Sequence, residues 1–288
     1  MMLDKNTEIL IVGLGLMGGS YARALTAGGY RVSAIDRDPD AIRYALREGI
    51  IAAGAADADP ALIGRADLVV LALYPHALLP WLETCLTFLK PGALLTDVTG
   101  VKGAIVPRVQ ALLEEARPDV EFIAAHPMAG REVSGVQNST AEIFRSANYI
   151  VVPTEKNTAG AVHICRALGE ALGFARVTEL TPAEHDEIIG FVSQLTHCIA
   201  VALMTCNDDE HLEDYTGDSF RDLTRIARIN DEMWSELFLL NREALLSQLD
   251  AFTAQLARLR ETIATGQREE MRALMRRSAE RRAKFDKK

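Results

Sequence analysis

The sequence predicts an N-terminal α/β domain built on a doubly wound parallel sheet, residues 1–154, followed by an all-α domain, residues 155–288. Three observations predict it. Short, β-branched-rich apolar runs alternate with helical stretches through the first half. A glycine-rich turn, Gly13-Leu14-Gly15-Leu16-Met17-Gly18, joins the first of these runs to a helix. From about residue 155 the strand signal fades and long apolar helical periodicity replaces it.

The first strand is Glu8–Val12, apolar enough to be buried on both faces. In the turn that follows, Gly13 allows the tight bend, Gly15 lets a pyrophosphate approach the backbone, and Gly18 lets helix and strand pack closely. The helix over 19–25 offers free N–H groups and a favourable dipole to phosphates. A second strand, Arg31–Ile35, ends in Asp36, the position from which a carboxylate accepts hydrogen bonds from adenosine ribose hydroxyls. Asp36 repels a 2′-phosphate, so NAD is favoured over NADP, and the neighbouring Arg37 softens that preference. This is the pattern of a Rossmann-type domain. Asp38 and Pro39 cap and start the next helix, which Gly49 ends. Further buried strands are read over 67–73, 93–97, 122–125 and 148–153, all in one parallel series. Ligands of such sheets lie beyond the carboxyl ends of the strands, so Gly13, Asp36, Tyr74, Asp97 and His126 are expected to face one crevice. His126 is expected in a loop after its strand. Cofactor contacts are expected from Gly13, Gly15, Leu16, Met17, Gly18, Asp36, Arg37, Tyr74 and Asp97.

In the second half, Thr181-Pro182-Ala183-Glu184 is a capping box that opens a long helix to about Cys206. That helix is apolar on more than one face, which suits burial between helices or in a subunit interface. Another long helix is expected from Asn230 through Trp234, Leu245 and Leu256. The basic stretch from Gln267 to Lys288 reads as a solvated amphipathic helix. Helices of this kind make a homodimer through the helical domain the expected assembly.

Composition excludes several classes of function. The chain has 288 residues, 25% of them charged and 49% hydrophobic, the proportions of a folded soluble protein. A net charge of −9 argues against a nucleic-acid partner. Cys85, Cys165, Cys198 and Cys206 lack metal-ligand spacing, so no metal is expected, and the last two read as buried free thiols in an apolar helix. The first strand starts too early for a secretory leader, and the apolar run 188–206 only approaches a membrane span. The expected compartment is the cytoplasm, with no membrane partner.

Chemistry concentrates in His126-Pro127-Met128-Ala129-Gly130-Arg131, followed by Glu132 and Ser134. Histidine is the natural proton acceptor near neutral pH, and a hydroxyl whose carbon loses a hydride must also lose its proton. In the helical half, His197 reads either as a satisfied core residue or as a ligand. Asp222 and Arg225, three apart, share a helix face. They form either a surface ion pair or an oriented guanidinium ready for a carboxylate.

Four segments together resemble the prephenate dehydrogenase family: Gly13–Ser20, Thr96–Lys102, His126–Gly130 with Glu132, Ser134 and Gly135, and Phe220–Ala227. The resemblance runs from the first strand to the Trp234 helix. It implies NAD-dependent oxidative decarboxylation of prephenate, or of arogenate, in tyrosine biosynthesis. It further implies that His126 accepts the ring-hydroxyl proton, that Arg225 binds a substrate carboxylate with Asp222 orienting it, and that His197 contacts the substrate. Glu132 and Trp234 would help to close the site. Many members carry serine where this chain has Gly100, which leaves Thr99 as the hydroxyl expected beside His126. Two other readings compete. A β-hydroxyacid-type dehydrogenase would use a lysine on the long helix, and the 184–206 segment has none. An NAD-sensing protein without chemistry would not need His126, Arg225 and Asp222.

Overall fold

The computed structural model describes residues 2–285. Six strands form one parallel sheet: β1 (Glu8–Val12), β2 (Arg31–Ile35), β3 (Ala53–Ala55), β4 (Leu68–Leu71), β5 (Leu94–Asp97) and β6 (Glu121–Phe122). Their spatial order is β3-β2-β1-β4-β5-β6, so the order reverses between β1 and β4. The crossovers are helices α1 (Leu16–Ala27), α2 (Pro39–Arg47), α3 (Pro60–Arg65), α4 (Pro75–Cys85) and α5 (Val106–Ala116). Side chains alternate between two cores. Ile9, Ile11, Val32, Val70 and Leu94 enter one, while Leu10, Val12, Ile35, Val69 and Leu95 enter the other. Burial on both faces is why these strands read as unbroken apolar runs.

The expected single parallel series does not hold to its end. Strands β7 (Ala124–Met128) and β8 (Asn148–Val152) leave the large sheet and pair antiparallel, with His126 opposite Ile150. The connection lacks the helix of a usual parallel crossover: residues 129–147 hold only two short 3₁₀ turns. Helix α6 (Ala159–Ala171) supplies such a crossover to β9 (Arg176–Glu179), which runs parallel to β8. The strand signal therefore persists beyond 155. β9 is short, half-buried only at Val177 and Thr178, and flanked by exposed charges, so its pattern is faint. His126 lies within β7 rather than in a loop after it. Pro127 is tolerated there because β7 is an edge strand.

The capping box forms as read: Thr181 accepts from the Glu184 amide and Glu184 from the Thr181 amide. It opens α7 (Pro182–Ile189), which continues through a π-helical segment, Gly190–Leu195, into α8 (Thr196–Thr205). By length and composition this run could cross a membrane, with mean hydropathy 1.7. Its buried His185, Asp186 and Gln194 are all hydrogen-bonded within the fold, however, which marks a packing helix. Ile188, Phe191, Val192 and Met204 on it are exposed in the single chain, and so is Cys206 just beyond it, against the expected burial; Cys198 is half-buried. Two further helices follow, α9 (Asp218–Thr224) and α10 (Asp231–Leu240).

The helix expected from Asn230 through Leu256 is two helices. α10 ends at Leu240, and Asn241 caps it with its side chain drawn into a buried network. Residues 242–288 form a separate compact unit. It is a hairpin of α11 (Arg242–Ala264) and α12 (Arg268–Arg282), joined by an Arg258–Glu270 ion pair. α12 buries none of its residues, as expected of a solvated helix; residues 286–288 of that tail lie outside the described residues.

Two glycines are fixed by contact rather than by flexibility. A Cβ on Gly18 would lie 1.8 Å from the Gly13 carbonyl oxygen, and one on Gly13, at φ +94°, would lie 2.4 Å from that of Ala72. A Cβ on Gly15 would touch nothing within 4 Å. Gly18→Ala is therefore expected to lower stability by about 1–3 kcal/mol through overpacking. Gly15→Ala should leave the urea midpoint unmoved. Equal midpoints for the two variants would contradict this packing.

Candidate active site

The turn between β1 and α1 has the form of an anion cradle. Gly15 leaves open space above the N-terminus of α1, and Leu16 and Met17 begin the helix with free amides. Asp36, at the end of β2, accepts hydrogen bonds from the Leu14 and Asp38 amides. It thereby braces the glycine turn against the start of α2. Arg37 is exposed beside it. The residues fit a dinucleotide: a cradle at the β1/β4 switch point, with a carboxylate at the tip of the neighbouring strand.

His126, on β7, is held by a partner that its sequence pattern did not reveal. His126 Nδ1 lies 2.8 Å from His185 Nε2, and His185 Nδ1 lies 2.7 Å from Asp186 Oδ1. A carboxylate only accepts, so His185 carries its proton on Nδ1 and presents a bare Nε2. His126 must then donate from Nδ1, which leaves its own Nε2 as an acceptor. The expected hydroxyl partner, Thr99, points elsewhere: its one proton lies between the Asp97 carboxylate and the Val101 carbonyl. A Cβ at Gly100 would sit 3.9 Å from His126 Cε1 and 3.6 Å from the Leu237 methyls, so a side chain has room there. His126 does not depend on one.

Asp186 is itself held by the loop after β5. Its Oδ1 accepts from the Lys102 amide at 2.8 Å and its Oδ2 from the Gly103 amide at 2.7 Å. Lys102 is fully buried and pairs with Asp97 at 2.7 Å, donating also to the Ala125 carbonyl just before His126. Asp97 accepts from the Ala125 amide as well. Its carboxylate is thus turned into the core, against the expected contact with cofactor, because the buried ammonium needs a counter-charge. Burial pushes the His126 imidazole well below its ordinary pKa, helped by the nearby His185 and Lys102. Burial lowers His185 too, with Asp186 opposing. Both rings are neutral at pH 7.

The helical elements supply a second group. His197 stacks on Trp234, with ring centroids 3.6 Å apart, and its Nδ1 donates to the Ser193 carbonyl at 2.8 Å. Burial is also the main cause lowering the His197 pKa; Glu132 raises it and Arg225 lowers it. Arg225 pairs with Glu132 at 2.6 Å rather than with Asp222. Helix α9 ends at Thr224 and Arg225 starts a 3₁₀ turn (Arg225–Ala227), where the carboxylate it reaches is Glu132 of the loop after β7. Trp234 and Leu237, three apart on α10, place the stacked pair about one helical turn from the contact at Gly100 and His126. Tyr74 and His76, at the start of α4 after β4, reach the α10 segment through Asn230 (3.4 Å) and Glu236 (2.8 Å).

A dinucleotide cradle, an oriented imidazole and an arginine–carboxylate pair are the parts of a dehydrogenase that couples hydride transfer to proton transfer. Family models described as "Prephenate dehydrogenase, nucleotide-binding domain" and "Prephenate dehydrogenase, dimerization domain" match residues 21–178 and 181–277. The chain belongs to the prephenate dehydrogenase family. It is 32% identical to a prephenate dehydrogenase of Lactococcus lactis, over 86% of this chain and 69% of that one. It is 30% identical to a cyclohexadienyl dehydrogenase of Zymomonas mobilis, over 90% and 89%. The crystal structure of the Aquifex aeolicus prephenate dehydrogenase, in complex with hydroxyphenyl propionate and NAD+, superposes with TM-score 0.87 at 29% identity, covering 97% of this chain and 98% of that one.

The depressed histidines make stability depend on pH. The folded protein keeps His126 and His185 neutral below their ordinary value of 6.5, where the unfolded chain takes up protons. Stability is therefore full above about pH 6.5 and is lost as pH falls below it, at up to about 1.4 kcal/mol per unit for each group. Thermal unfolding from pH 7.5 to 5 should show this fall, and His126→Asn should make it shallower. A melting temperature that rises on acidification would contradict the neutral pair.

Proposed function

We propose that this chain catalyses the NAD-dependent oxidative decarboxylation of prephenate to 4-hydroxyphenylpyruvate, with His126 as proton acceptor. The observation that carries the reading is the Asp186–His185–His126 chain of hydrogen bonds, which leaves the lone pair on His126 Nε2 to accept a proton. NAD would supply the hydride acceptor; Gly13, Gly15, Leu16, Met17 and Gly18 would hold its pyrophosphate, Asp36 and Arg37 its ribose, with Tyr74 beside it. His126 takes the ring-hydroxyl proton as the hydride departs. The bond to the ring carboxylate breaks, its electron pair enters the ring, and carbon dioxide leaves. The proton then returns from His126 to the phenolate oxygen, so no net proton is consumed.

Arg225 holds a substrate carboxylate in this reading, which requires it to exchange Glu132 for the ligand. The two carry opposite charges at bonding distance and lie near the surface, where such a pair contributes little, so exchange is easy. Trp234 and His197 wall the site, and Asp222 stays outside the pairing. The α/β segment binds the nucleotide. The helical segment completes the substrate site and, by the exposed apolar side chains of α7 and α8, forms a homodimer in the cytoplasm. Arogenate is the second candidate substrate, since it differs only in bearing an amino group in place of the keto oxygen.

The test is NADH formation from NAD with each substrate. Wild-type protein should produce it. His126→Asn should cut turnover by orders of magnitude while NAD affinity holds. Arg225→Ala should raise the Michaelis constant by the equivalent of a few kcal/mol, about 2–5. Unchanged turnover in His126→Asn would overturn the assignment.

A further inference from the structure

We propose that His197 selects the substrate's side chain by its proton count, favouring the α-amino acid arogenate when neutral and the α-keto acid prephenate when charged. This rests on the reading of the site above. A carbonyl accepts hydrogen bonds and never donates, so the 2.8 Å contact with Ser193 fixes a proton on His197 Nδ1 in both charge states. The stack on Trp234 resists a ring flip that would exchange the nitrogens. Nε2 is therefore the only variable atom, and it has no hydrogen-bond partner among the described residues. The groups that face the ring are the Ser193 carbonyl on its own helical run, Trp234 on α10, Glu132 from the loop after β7, and Arg225 from the 3₁₀ turn. Glu132 and Arg225 pair with each other, so their fields on the imidazole largely cancel and burial keeps it neutral near pH 7.

The consequence follows from what Nε2 meets. If Arg225 holds the side-chain carboxylate, the neighbouring α-substituent is one bond away and is the group closest to His197. A keto oxygen offers lone pairs only, and against a bare Nε2 two acceptors are opposed. An ammonium donates to that lone pair and is satisfied. Protonation of Nε2 reverses both outcomes, giving the keto oxygen a donor and setting two cations together.

The experiment measures kcat/KM for NADH formation with arogenate and with prephenate from pH 5.0 to 7.5, where the substrates' own carboxylates and amino group keep their charges. Titration of His126 affects both substrates alike and cancels in the ratio. The arogenate-to-prephenate ratio should rise with pH by about tenfold. In His197→Gln, whose amide offers both a donor and an acceptor, the ratio should become flat. A flat ratio in the wild type, or an equal slope in His197→Gln, would overturn the proposal while leaving the dehydrogenase reading intact. Absence of NADH with either substrate would overturn that reading, and this proposal with it.

Discussion

The Asp186 carboxylate is the contact on which the site depends. It accepts hydrogen bonds from the Lys102 and Gly103 amides, which belong to the loop after β5, and from the His185 imidazole one residue before it. One buried anion therefore ties α7 to the parallel sheet and fixes the tautomers of two histidines in series. Its own main-chain carbonyl accepts from Asn241, and Asn241 also donates to Gln194, which donates to the Leu237 carbonyl. Each polar group in this buried network has a partner, the condition under which such networks rigidify a site rather than weaken it.

Charge around His126 is arranged to keep it neutral without leaving it unsupported. Lys102 is buried and would be costly alone, but Asp97, Thr99 and the Ala125 carbonyl take its three protons. The same ammonium disfavours a proton on His126 and on His185. A base that is already deprotonated at neutral pH can accept a proton without first losing one. Farther along, Glu132 pairs with Arg225, so that guanidinium does not stand as a lone charge.

The glycine turn, strands β1, β2, β4 and β5 and the capping box were legible in the sequence, because each is a local pattern with its own spacing; β3, three small residues at the sheet edge, was not. What escaped was set by contacts distant in sequence. His185 stands beside Asp186 in the first turns of an apolar helix, a pair of polar side chains that such a helix does not need, and that was the available signal. The partner of His185 lies 59 residues away at His126, and those of Asp186 lie 83 and 84 away in the loop after β5. The Asp222–Arg225 pairing gave way to a contact distant in sequence, the Arg225–Glu132 ion pair. The antiparallel turn of β7 and β8 was foreshadowed by the missing helix between them, a feature of connection rather than of strand composition.

The central claim is that Asp186, through His185, fixes His126 as the Nδ1–H tautomer with a free lone pair on Nε2. Nitrogen-15 NMR of the histidine rings at pH 7.5, with His126 assigned by comparison with His126→Asn, reads this directly. The account predicts a protonated Nδ1 and an unprotonated Nε2 on His126, with the ratio shifting toward mixed tautomers in Asp186→Asn. A His126 ring protonated at Nε2 in the wild-type protein would contradict it.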